Sequence, residues 1–238
     1  MEYDEGGKER LKNNRKGGIF MTFDDLRKNE TVAAYISAAD ANLGALGYTE
    51  HSFAHVGMTA DRAKYILQTL GYDERTVELA QMAAWLHDIG NMVNRTDHSM
   101  NGAVMAFKIL TDMGMPAEEI AKIVPAIGNH DEGTGTPVSP IAAALILADK
   151  SDVRRNRVRN QDESSFDIHD RVNYSVVKSE LKINEAHTLI KLKLTVDTRY
   201  GTVMDYFEIF MERMILCRKA AAFFGMQFKL MINEQSLM

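Results

Sequence analysis

The chain is short of cysteine, of long apolar runs and of net charge, and each shortage closes off a class of protein. Its one cysteine, Cys217, has no partner for an intramolecular disulfide, so a disulfide-stapled secreted scaffold is excluded. The longest apolar run, Ile141 to Ala148, falls far below the ~20 residues that span a bilayer. No stretch combines the charged start, apolar run and small-residue cleavage site of a signal peptide. A cytoplasmic protein without a membrane partner is the expectation. The net charge of -5, with 26% charged residues, supplies no broad basic surface for duplex nucleic acid. Arg154, Arg155, Arg157 and Arg159 form a local cluster, but Asp162 and Glu163 soon offset it and no aromatic side chains interleave it. Nucleic acid is therefore not expected as a partner.

What is present is a chain of 238 residues, 45% hydrophobic, enough for one substantial core and a smaller appended unit. Residues 1–20 begin with a stretch rich in Lys, Arg, Glu, Asn and Gly that lacks the apolar surface to offset ordering entropy, so a mobile tail is expected there. Residues 21–160 read as a helical bundle. Apolar side chains recur at three- and four-residue steps over Thr31 to Leu43, Phe53 to Leu70, Glu74 to Asp88, His98 to Met113, Pro116 to Asn129 and Ile141 to about Val153. Over residues 170–238 the period changes. Val177, Ser179, Leu181 and Ile183 fall on one face of a strand, Ile190, Leu192, Leu194 and Val196 alternate on a second, a helix follows from Val203 to Phe224, and Phe228, Leu230 and Ile232 make a last strand. The fold class is mainly α: a helical bundle with a small C-terminal ββαβ, or α+β, unit.

Metal-capable side chains punctuate the bundle in the order His55, His87-Asp88, His98, His130, Asp149. A single histidine on an apolar helix is usually a core or surface residue; the order, and the position of every member at or near a helix end, give the series its weight. Imidazole mixed with carboxylate suits Fe, Mn, Zn, Ni or Co better than Ca or Mg, which prefer oxygen shells. With no thiolates in the series, an open, catalytic site fits better than a closed structural zinc site.

The order His, His-Asp, Asp resembles the signature of the HD-domain metal-dependent phosphohydrolases, an all-helical superfamily acting mainly on nucleotide and other phosphate esters. The resemblance runs from about Phe53 to Arg155. The additional pair His98 and His130 is similar to the two-metal branches, the YqeK-type dinucleoside polyphosphate hydrolases and the HD-GYP phosphodiesterases. The resemblance implies that His55, His87, Asp88 and Asp149 hold a first metal, that Asp88, His98 and His130 hold a second, and that Asp88 bridges. Ala148-Asp149-Lys150-Ser151-Asp152-Val153-Arg154-Arg155 is similar to the YqeK-type run, with Asp152 and Val153 in place of its Glu and Pro. Leu86-His87-Asp88-Ile89-Gly90 is closer to the HD-GYP form, although the Gly-Tyr-Pro segment is absent.

Lys150, Arg154 and Arg155 lie within about two helical turns of Asp149, so they are candidates to clamp phosphate beside Asp88 and stabilise its transition state, against the plainer reading of solvated surface charge. Asp131 and Glu132 are candidates to orient a ligand or accept a proton. Trp85 and the methionines Met204, Met211 and Met214 read as core or subunit contact, and His51, His169 and His187 as surface histidines. The expected activity is hydrolysis of a phosphomonoester, pyrophosphate or phosphodiester bond in a small, nucleotide-like substrate, with two divalent transition ions, iron or manganese first. The competing expectation is a regulatory protein that retains the HD fold and senses a ligand, or forms a homodimer, through its C-terminal unit.

Overall fold

The computed structural model describes residues 21–237; the tail expected over residues 1–20 lies outside the described residues. The bundle comprises α1 (Phe23–Arg27), α2 (Glu30–Ala45), α3 (Phe53–Thr69), α4 (Glu74–Leu86), α5 (His98–Asp112), α6 (Ala117–Gly128) and α7 (Pro140–Lys150). Its axis is α7, in which every residue from Ile141 to Lys150 is buried. A helix apolar on all sides needs neighbours on all sides, and α3, α4, α6 and α9 (Val203–Phe223) surround it.

Local signals set the helix ends. Ser139 caps α7 by accepting from the Ala142 amide at 3.1 Å, with Pro140 in the first turn, where its missing N–H is harmless. Asp73 caps α4 through the Thr76 amide at 3.0 Å, a bond of the kind worth about 1 kcal/mol. Pro116, expected inside the first turn of α6, is instead its N-cap.

The C-terminal unit opens with α8 (Ile168–Ser175), followed by β1 (Val176–Ile183), β2 (Leu189–Val196), α9, β3 (Gln227–Ile232) and the two-residue β4 (Gln235–Ser236). The sheet order is β1-β2-β3-β4. β1 and β2 pair antiparallel, whereas β2 and β3 pair parallel. A parallel pair needs a long crossover, and α9 supplies it, packing on β3 and on α7. Met214, Cys217, Ala220 and Ala221 of α9 are buried there. Bundle and sheet consequently share one continuous apolar core.

Three details depart from expectation. β1 is bulged between Val176 and Lys178, which shifts the side-chain alternation by one; Val176 is buried, and Val177, expected on the same face as Leu181, is 57% exposed while Leu181 is buried. α7 ends at Lys150 rather than near Val153. The eight-residue α8 carries too short an apolar pattern to be read from spacing. Trp85 packs in the core against Phe23 and Phe53, as does Met214, while Met204 and Met211 are exposed.

Candidate metal centre

Four helix ends meet beside the C-terminus of α7. His55 lies in the first turn of α3, just after its cap Ser52. His87 caps the C-terminus of α4, and Asp88 begins the short 3-10 turn Ile89–Met92. This turn packs on the start of α5 so closely that a Cβ on Gly90 would sit 2.0 Å from the His98 carbonyl oxygen and 2.5 Å from the Gly102 nitrogen. Only glycine allows that approach. Asp97, directly before His98, adopts left-handed backbone with φ 58° and gives no side-chain cap. Such a residue costs on the order of 1 kcal/mol and persists only where its surroundings hold it. Here it turns the chain so that His98 enters the cluster. His130 follows α6, and a turn closed by the Gly135 amide on the Asp131 carbonyl, 2.7 Å, stabilises the loop after it.

All six metal candidates are brought together. Nε2 of His55 lies 3.3 Å from Nε2 of His87, 3.4 Å from Oδ2 of Asp88 and 3.3 Å from Oδ1 of Asp149. Nε2 of His87 lies 3.0 Å from the same Asp88 oxygen. On the other side, Nε2 of His98 and of His130 are 3.2 Å apart, at 3.7 and 3.9 Å from Oδ1 of Asp88. Each oxygen of Asp88 thus faces a different histidine pair. Two overlapping groups, His55/His87/Asp149 and His87/Asp88/His130, keep their ligand atoms within 4.8 Å of one another.

Hydrogen bonding at the other ring nitrogen shows that this donor set fits a divalent ion. Nδ1 of His87, His98 and His130 meets the carbonyl three residues back, Ala84 at 2.7 Å, Arg95 at 3.1 Å and Ile127 at 2.6 Å. Nδ1 of His55 meets the Asp152 carboxylate at 2.8 Å. Carbonyl and carboxylate oxygens only accept, so each Nδ1 carries the hydrogen and each neutral ring turns its Nε2 lone pair inward. Four lone pairs and two carboxylates converging in a buried space are compatible with divalent-metal binding; without a cation, protons fill the gap. Accordingly, burial opposes charge on His87, but Asp88 and Asp149 outweigh it and push its pKa up to about 10. His55 is raised too, the same carboxylates and Asp152 overcoming burial and Arg157. His130 is held well below its ordinary value by burial and by His87 and Lys150, and His98 is lowered chiefly by burial. Asp88 and Asp149 stay well below the carboxylate range despite burial, Asp88 through His87 and Asp149 through Lys150.

The cations expected to clamp phosphate divide. Lys150 reaches the cluster, with Nζ 2.8 Å from Asp149 and 3.1 Å from Glu132. Arg154 is spent on Asp152, donating from Nε at 2.5 Å and Nη2 at 3.0 Å. Arg155 is not brought to the cluster. Its Nε donates to the Tyr174 carbonyl at 2.6 Å, and its guanidinium stacks on Tyr174 and Tyr200. Asp131 lies 3.8 Å from Nε2 of His98, while Glu132 is shared between Lys150 and Arg213 of α9, 2.9 Å away.

Several contributors escaped the motif reading. Asp152 is wholly buried, and besides Arg154 it has Arg157 at 3.6 Å and Arg62 at 3.9 Å. It was visible only as a departure from a family run. His51 is not a surface histidine: it is half-buried, its ring centroid 5.3 Å from that of His55, with burial and Arg157 lowering its pKa well below the ordinary value. Arg95 lies three residues before His98, a spacing that was a usable signal. Arg213 carried none, since it comes from the distant C-terminal unit.

Residues 52–156, the stretch that carries all six metal candidates, match the family model described as HD domain. A relative similar over a longer span is the uncharacterized protein MJ1020 of Methanocaldococcus jannaschii, 28% identical over 194 residues, which cover 71% of this chain and 74% of that protein. Among the described residues, no helix is long and apolar enough to cross a membrane.

Proposed function

We propose that the chain is a metal-dependent phosphohydrolase that cleaves a phosphomonoester, pyrophosphate or phosphodiester bond of a nucleotide-like substrate at a two-metal centre. The observation that carries this reading is the placement of Asp88, one oxygen toward His55 and His87 and the other toward His98 and His130. A carboxylate so placed would be shared by two metal sites, with His55, His87 and Asp149 holding one ion and His98 and His130 the other. Divalent ions held there, iron or manganese first, supply a water activated at neutral pH and neutralise charge growing on the phosphoryl oxygens.

The chain's own groups then orient and balance charge. Asp152 fixes the ring of His55, and Lys150 offsets the charge of Asp149 at 2.8 Å. The test is metal analysis of protein purified without chelator, with a hydrolysis screen over mononucleotides, dinucleoside polyphosphates and cyclic dinucleotides. Bound transition metal and hydrolysis of at least one class are expected. Metal-loaded protein inert across the whole panel overturns the reading.

A further inference from the structure

A cleft of about 380 Å³ opens beside Asp149, and both parts of the chain line it. The bundle contributes His51, Arg95 and Arg157, with Tyr48 from the loop before α3; the C-terminal unit contributes Phe210 and Arg213 from α9 and a wall from α8. The volume lies at the small end of the range for ligand sites, roughly 300–1,000 Å³. It suits one compact organic group.

The charges in this cleft are segregated. Arg157 is buried and used up on the backbone carbonyls of Glu50 and Asp152, 2.9 and 2.6 Å away. Arg95 and Arg213 are differently placed. Among the described residues no carboxylate pairs with Arg95, whose only side-chain neighbours within hydrogen-bond reach are Asn91 and His98, both at 3.4 Å. Arg213 engages Glu132 through Nε alone, and its terminal nitrogens have no hydrogen-bond partner among the described residues. Its guanidinium lies over the Phe210 ring, 4.6 Å from the centroid, which limits its freedom to swing away. Both arginines are half-buried and line the same cleft as Asp149. At its mouth the cleft is lined by Asp167, the exposed N-cap of α8, and by Asp170, half-buried in the first turn of that helix. Each already accepts a hydrogen bond, from the Asp170 amide and from Asn160 respectively, and each carboxylate has further lone pairs.

We propose that Arg95 and Arg213 together hold the phosphate of a phosphomonoester against the metal centre, and that the acidic mouth on α8 receives a hydroxyl-bearing organic group while rejecting a second phosphate. The inference rests on the phosphohydrolase reading above and narrows it. Guanidinium groups with free N–H donors match phosphate oxygens. Carboxylates accept from sugar hydroxyls, but they repel the further charge that a polyphosphate chain or a cyclic dinucleotide would lay against them. The C-terminal unit is then a wall of the substrate site, in which Arg213 holds the phosphate and Asp167 and Asp170 set the specificity.

The test is calorimetric binding of inorganic phosphate to the full-length protein and to Arg95→Gln and Arg213→Gln, with metal content measured on each sample. Each variant is expected to bind phosphate about 10- to 100-fold more weakly at unchanged metal content. Arg213→Lys, which keeps a partner for Glu132, covers the case in which Arg213→Gln fails to fold, and Arg95→Gln strands no carboxylate. The wild type should also bind a nucleoside monophosphate at least tenfold more tightly than the matching triphosphate or a cyclic dinucleotide, and Asp167→Asn with Asp170→Asn should narrow that gap. Phosphate affinity unchanged in the arginine variants, or a cyclic dinucleotide bound as tightly as the monophosphate, overturns the proposal. The two readings fail separately: arginine-dependent phosphate binding in a protein that hydrolyses nothing sinks only the phosphohydrolase, and hydrolysis with arginine-independent binding sinks only the clamp.

Discussion

Replacing Asp152 by Asn keeps the shape of the side chain and removes one buried charge, so it isolates what that carboxylate does. Three guanidiniums, of Arg154, Arg157 and Arg62, lie 2.5 to 3.9 Å from its oxygens, and Nδ1 of His55 lies at 2.8 Å. Removing one partner of a buried charge network costs about 3–5 kcal/mol, because the remaining charges stay desolvated. At about 2–4 °C per kcal/mol for a chain of this size, the melting temperature should fall by about 6–20 °C. The amide still accepts from His55, but it no longer strengthens that ring as a donor, and loss of such a partner weakens metal binding by about 10- to 100-fold. The effect has a definite pH signature. Burial works to raise the Asp152 pKa, but His55, Arg157 and Arg154 hold it well below the carboxylate range. A depressed acid stabilises the fold above its unfolded value of about 3.9 and loses that contribution as pH falls through the folded value. The melting difference between wild type and Asp152→Asn should therefore be constant from pH 7 to about 5 and shrink only below about 4. Scanning calorimetry across pH, with metal titration at pH 7, makes the measurement. A variant that melts within 2 °C of wild type and binds metal equally well refutes the reasoning.

Three further outcomes follow from the centre's geometry. Asp88→Ala should lose both metals, whereas His98→Ala should chiefly weaken the site shared with His130; equal retention of two ions in both variants, by elemental analysis, contradicts the bridging role. Metal affinity should rise by up to about tenfold per pH unit between 7 and 9, because an ion must displace the proton that His87 keeps up to about pH 10; a flat profile in titration calorimetry tells against this. In the metal-free protein the sign reverses, since the stability from charged His87 is complete below about pH 6.5 and is lost as pH rises toward 10. Gly90→Ala, whose Cβ would meet the His98 carbonyl at 2.0 Å, should cost at least about 1–3 kcal/mol and disturb the second site, so an unchanged melting curve and metal content would show the contact to be soft.

Most of the clustered candidates were legible because metal-capable side chains at helix ends leave a local trace: a polar side chain where an apolar stripe stops. His87, His98 and Asp149 each announce themselves that way. Asp152 does not, because its partners Arg62 and His55 are about 90 and 97 positions away, and only folding reveals the pairing. Arg155 misled for the same reason. Proximity to Asp149 along the chain says nothing once α7 ends at Lys150 and the backbone turns, carrying Arg155 to Tyr174 instead. In the C-terminal unit, the alternation of β2 carries over directly into burial, whereas the bulge at Val177 is a backbone event without a residue signature.

The three imidazoles tied to the carbonyl three residues back, in α4, in the loop before α5 and in α6, are oriented by local backbone. Each of these rings is tied within four residues of chain, although His98 also needs the left-handed backbone at Asp97. His55 alone depends on a distant strut, the carboxylate of Asp152. Stripping the ions should therefore leave all four rings aimed, three by local carbonyls and one by that strut, and reloading should require no domain to refold.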